Sequence, residues 1–245
     1  MKHKILIVGF CTITAATAKA QFSDSVHNYI MYAATGIINK TNSSRSYLIS
    51  NAAQYKLRIK KNALNFAAGY IYGRQQGVLS HDDFNTTVDF NFFPKDSSKL
   101  YYWGLLNFDK SFSLNIIGRS QVGIGVAYNF MDDEKRFLNI SNGILYEYSN
   151  VQLSDGVHEK NDLIRNSFRL RYRFLINKII IISGTNMLQT AFGHSEDYIL
   201  KLDNSINLTL NTWLRFRTAF TYNRNNLTKR ENMLITLGLT AEKFF

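Results

Sequence analysis

Between residues 165 and 174 arginine and large apolar side chains take turns: Phe168, Leu170, Tyr172 and Phe174 fall on one parity, and Arg165, Arg169, Arg171 and Arg173 on the other. A period of two places these sets on opposite faces of an extended strand, so the chain must bury one face in oil while giving four guanidinium groups something polar. The same division recurs along the sequence. Leu214, Phe216, Phe220 and Tyr222 oppose Arg215 and Arg217, and Phe84, Val88, Phe90 and Phe92 oppose Asp83, Asn85, Asp89 and Asn91. Val122, Ile124, Val126, Tyr128 and Phe130 oppose Arg119, Gln121, Gly123, Gly125 and Asn129.

About twelve such runs cover the chain, with ten to fourteen as the bounds, and most exceed the ~9–11 residues a tilted strand needs to cross a bilayer. An all-β, antiparallel transmembrane β-barrel follows. No segment beyond residue 20 is apolar for long enough to cross as a helix, and only closed barrels satisfy strand edges in lipid. A charged side chain at the lipid midplane costs ~2–4 kcal/mol, so the charged faces should line the interior. A soluble sandwich or lipocalin-like barrel would put them in water instead, but it leaves too many aromatic faces uncovered.

The two ends carry addresses. Lys2 and Lys4 precede an apolar run at 5–14, and Ala18, Lys19 and Ala20 form a small-x-small site before Gln21, so residues 1–20 read as a secretory signal and 21–245 as one barrel domain. Cys11, the one cysteine, lies inside the signal behind Phe10, which disfavours lipid anchoring and leaves no disulfide for the exported chain. At the other end Met233, Ile235, Leu237 and Leu239 alternate with Leu234, Thr236, Gly238 and Thr240, and the chain stops on Phe245. A two-faced last strand ending in Phe is an expected signal to the barrel assembly machinery of a Gram-negative outer membrane.

Connections also sort. Short polar links at 61–62, 94–98, 131–135, 177–178 and 211–212 fall at every second position and predict periplasmic turns. The others, at 39–45, 74–81, 109–112, 150–162, 193–196 and 224–229, are mostly longer and predict external loops. Tyr70, Tyr72, Tyr101, Tyr146, Tyr148, Phe92 and Phe93 sit near strand ends, where interfacial girdles form.

The stretch 119–148, RSQVGIGVAYNFMDDEKRFLNISNGILYEY, resembles the glycine-rich hairpin of the salt-induced outer-membrane proteins, a family otherwise called a domain of unknown function. The matching residues are Gly123, Gly125 and Tyr128, the turn Asp132-Asp133-Glu134, and Glu147-Tyr148. The resemblance implies an outer-membrane barrel and brings no catalytic residues.

The formal charge is +11. In an exported chain such a balance fits outer-membrane lipids and lipopolysaccharide, or a cationic lumen, and disfavours nucleic acid. The expected basic face comprises Lys56, Arg58, Arg119, Arg165, Arg169, Arg171, Arg173, Lys201, Arg215 and Arg217, with Asp83, Asp89, Glu147 and Asp203 as acidic partners. Two outcomes remain open for it: rings of arginine that favour anions in a small pore, or a salt-bridged filling that gives the barrel a structural, envelope-adaptive role.

An enzyme reading is weaker. His81-Asp82-Asp83 and Gly193-His194-Ser195-Glu196 could lie at the rim as a hydrolase acting on lipid or peptide, but adjacent His194 and Ser195 point apart on extended backbone. His81, His158 and His194 lack metal-ligand spacing. No catalytic, metal or cofactor site is therefore assigned, and loop 150–162 is the feature a binding protein would use.

Overall fold

The computed structural model describes residues 28–41, 43–95, 98–153 and 156–244. The signal at 1–20 and the assembly signal Phe245 lie outside them. Twelve strands run in chain order: β1 (Asn28–Lys40), β2 (Arg45–Ile59), β3 (Asn62–Gln75), β4 (Val78–Phe92), β5 (Leu100–Ser111), β6 (Ile116–Asp132), β7 (Arg136–Gln152), β8 (His158–Ile176), β9 (Ile180–Ala191), β10 (His194–Thr209), β11 (Leu214–Asn225) and β12 (Arg230–Phe244). Each pairs antiparallel with its sequence neighbour, and β1 pairs with β12, from Tyr29 against Phe244 to Gly36 against Leu237, to close the barrel.

The alternation sets which side faces in. Ile124, Val126, Phe168, Ile206, Ile235 and Leu237 are exposed on the outer wall, whereas Arg119, Gln121, Asn139, Glu147, Arg165 and Gln189 are among the most buried side chains of the protein. Closure leaves no free edge, and the outer wall is mostly apolar, with polar side chains such as Asn142 and Asn166 paired to one another at 2.8 Å.

Strand ends differ from expectation on the side away from the termini. Five of the connections there shrink, to 41–44, 76–77, 153–157, 192–193 and 226–229, because the strands keep pairing through the predicted loops, while the sixth moves from 109–112 to 112–115 at the same length. Residues 150–162 are the clearest case: Gln152 pairs with His158 and Asn150 with Lys160, which leaves a five-residue turn. The longest connection, 93–99, lies on the terminus side, so loop length does not distinguish the two ends. On that side Asn177 and Lys178 both take positive φ, the backbone of a tight hairpin turn.

The predicted girdle needs one correction. Tyr70, Tyr146, Tyr148 and Phe92 are exposed on the outer wall, but Phe93 and Tyr101 are buried, with ring centroids 4.6 Å apart. The outward aromatic residue at this point of β5 is Tyr102. Inside, Trp103 fills the space over Gly125 and Gly143, which pair with one another on β6 and β7, and its Nε1 donates to the Val126 carbonyl at 3.1 Å. A Cβ on either glycine would collide with the indole and with backbone of the neighbouring strand. The small residues of this hairpin therefore admit a large one from β5.

Candidate functional site in the barrel lumen

One half of the interior is filled by a connected polar network. Arg165 on β8 donates through Nε and Nη2 to both Glu147 oxygens at 2.9 and 3.0 Å, and through Nη1 and Nη2 to Asp197 at 3.0 and 2.8 Å. Gln121 Nε2 donates to Glu147 at 2.6 Å and to Gln189 at 2.8 Å, while its Oε1 accepts from Asn107 at 3.3 Å. Asn107 in turn donates to Asp109 at 3.1 Å. Asp109 pairs with Arg119, its neighbour across β5 and β6, and with Lys201 at 2.9 Å from β10 on the far wall. Arg169 crosses the interior as well, reaching Asp89 on β4 at 3.1 Å and lying over the Trp103 ring at 5.4 Å. Charges buried this deeply are tolerable only when paired and hydrogen-bonded, and these are.

The other basic residues divide. Arg215 pairs with Glu242 of β12, and Arg58 lies over the Phe93 ring at 4.6 Å. Arg171 meets neutral partners, donating to the Tyr101 hydroxyl at 2.5 Å and to Asn139, and Arg217 donates to Asn207 at 3.5 Å. Of the four expected acidic partners, Asp89 and Glu147 hold arginines. Asp83 instead accepts from Ser113, through its backbone N at 3.1 Å and its hydroxyl at 2.6 Å. Asp203 stays accessible within the lumen, bordering two cavities.

Three acids that the charge pattern did not single out, Asp109, Asp197 and Glu242, hold the network as firmly as the predicted ones. Parity would have found them: each lies an even number of residues from a lumenal side chain on its own strand, Asn107, Lys201 and Thr240 respectively.

The opposite wall is small. Ala33 and Thr35 of β1, Ser50 and Ala52 of β2, Ala67 and Gly69 of β3, Ala219 of β11 and Thr236 of β12 border a cavity of about 350 Å³. A second cavity, of about 390 Å³, continues toward the terminus side. Their linings share Met31, Gln54, Asp203 and Arg217, so the two abut at that level. Turn 112–115 roofs the far end. Leu114 is buried against Ile116 and Val151, with Leu153 and Leu227 packed on them. Ser113 takes a 2.6 Å hydrogen bond from Asn232 of β12, across the mouth.

The three candidate histidines sit on three different strands. His81 lies in β4, His158 opens β8 and His194 opens β10. His81 Nδ1 is 3.1 Å from Ser80 Oγ, but the carboxylate of Asp83 is taken by Ser113. Among the described residues no three His, Cys, Asp or Glu side chains gather as a metal set.

A closed twelve-strand antiparallel barrel with an apolar outer wall and a charged interior defines an outer-membrane-type β-barrel. The chain belongs to the family described as protein of unknown function DUF481, whose sequence pattern matches residues 33–240. No curated protein matches its sequence. Among solved structures it is similar to the NanC porin, with a TM-score of 0.53, 9% identity, and 86% of this chain and 98% of that one covered. It is also similar to the translocator domain of the autotransporter NalP from Neisseria meningitidis, with a TM-score of 0.50, 9% identity and 87% of each chain covered. At such identities the likeness is one of fold.

Proposed function

We propose that this protein resides in the bacterial outer membrane as a non-enzymatic barrel and passes small anions along the small-residue side of its lumen. The observation that carries the reading is the division of the interior. Five expected selectivity residues, Arg119, Arg165, Arg169, Lys201 and Arg215, are neutralised in ion pairs and act as filling. Arg171, Arg173 and Arg217 border the remaining space and give it a positive potential. The salt-induced family resemblance adds a setting, adaptation of the envelope to ionic conditions. Outer-membrane lipids and lipopolysaccharide on the outer wall, and the assembly machinery reading Phe245, are the partners this role requires.

The test is the reversal potential of the refolded barrel in a planar bilayer under a potassium chloride gradient. An anion-selective reversal that moves toward zero when Arg171, Arg173 and Arg217 are changed together to Ser supports the reading. A correctly folded barrel that carries no current overturns it.

A further inference from the structure

The terminus-side cavity holds a more specific arrangement than a generally basic pore. Arg171 and Arg173 lie on β8, and Arg215 and Arg217 on β11. Between them the register sets a floor of short polar side chains: Arg173 is opposite Ser183, Ser183 opposite Ser205, and Asn207 opposite Arg217. Ser183 and Ser205 touch at 3.1 Å, and Asn207 donates to Ser205 at 3.2 Å. Two pairs of arginines thus stand about three strand spacings apart, each spacing ~4.8 Å, across a floor too small to fill the gap. Lys56 completes the lining from β2.

We infer that this cavity is a binding site for a small, multivalent, soluble oxyanion. Charge selects the valence. Seven cations border the space, Lys135 and Arg136 of the rim turn among them, against the five carboxylates of Asp132, Asp133, Glu134, Asp203 and Glu242, so two positive charges remain, which a single chloride does not balance. Within the acidic turn at the rim Asp133 is held by Arg136 at 2.9 Å, Asp132 accepts from Asn129 at 2.8 Å, and Lys135 borders the space beside Glu134. Guanidinium forks favour the paired oxygens of phosphate or carboxylate groups, and the hydroxyl floor supplies further hydrogen bonds. The volume, about 390 Å³, accommodates a compact molecule of this kind. A lipid headgroup is the wrong source, because these side chains face the interior. Entry is from the terminus side, since turn 112–115 roofs the other end. The inference rests on the anion-favouring reading of the lumen but is separable from conduction.

Calorimetric titration of the refolded full-length barrel with inorganic pyrophosphate tests it. One saturable site is expected, weakened at least tenfold in R173Q/R217Q and unchanged in K110Q, whose lysine lies at the opposite rim. Should the double variant not fold, R217Q and R217K serve, with R217K retaining the larger share of the affinity. Absence of saturable binding, or equal weakening by K110Q, overturns the site. A barrel that conducts anions without binding pyrophosphate refutes the site alone, and one that binds without conducting refutes the channel alone.

Discussion

Arg165 on β8 and Glu147 on β7 are diagonal neighbours, since Arg165 lies opposite Leu145, and they form a two-pronged ion pair with both side chains almost wholly buried. The arginine also holds Asp197, so one guanidinium answers two carboxylates. Removing the cation strands two acids, whereas removing one acid leaves the cation still paired. Arg165→Leu is therefore expected to destabilise the barrel by about 3–5 kcal/mol, and Glu147→Gln by distinctly less. Urea unfolding in lipid vesicles measures both. Equal losses would show that the two carboxylates do not depend on this one arginine.

The packing of Trp103 makes a second prediction. Gly125 and Gly143 leave room for its ring, and neither can accept a Cβ without displacing it. Overpacking of this kind costs about 1–3 kcal/mol, so Gly143→Ala should destabilise by that amount and shift tryptophan emission as the indole moves. The other tryptophan, Trp213, is exposed, so a wild-type spectrum and stability in Gly143→Ala would refute the wedge.

Much of this architecture was legible in the sequence, because a period of two is local. The arginines at 165–173 announced an inward face, and the strand count followed from repeating that test. Partners across the lumen were less legible. Arg169 meets Asp89 and Lys201 meets Asp109 over 80 and 92 residues of chain, distances that only the closure of the sheet abolishes. Tyr101 and Tyr102 show another limit: composition cannot assign adjacent aromatics to a face, since one residue of register exchanges them. Much of the predicted loop 150–162 turned out to be strand because Asn150, Val151 and Gln152 pair with Lys160, Glu159 and His158 and so prolong the β7–β8 ladder with residues that carry no apolar alternation.

At the terminus side Asp133 caps the β6–β7 turn. Its side-chain hydrogen bond with Arg136, followed by the backbone N–H of Lys135, holds its pKa below the ordinary 3.8. A depressed carboxylate contributes stability above its unfolded pKa and loses it as pH falls through the folded one. The turn should thus stay closed at pH 5 and loosen below about pH 4. Hydrogen exchange of the Lys135 and Arg136 amides follows this. Rates in wild type and Asp133→Asn that respond identically to acid would count against it.

Turn 112–115 closes the end of the lumen away from the termini. It is held by a short relay in which Asn232 donates to Ser113, and Ser113 donates to Asp83, so strands β12 and β4 grip one turn between them. Leu114 adds an apolar contact with Ile116 and Val151 beneath the turn. If this roof limits passage, loosening it should raise conductance without altering the charge of the lumen. The double change Ser113→Ala with Asn232→Ala removes both links while leaving Arg171, Arg173 and Arg217 in place. We expect single-channel current several times that of the wild type with an unchanged reversal potential. A current that stays the same would place the narrowest point elsewhere, at the level of Met31, Gln54, Asp203 and Arg217 where the two cavities abut.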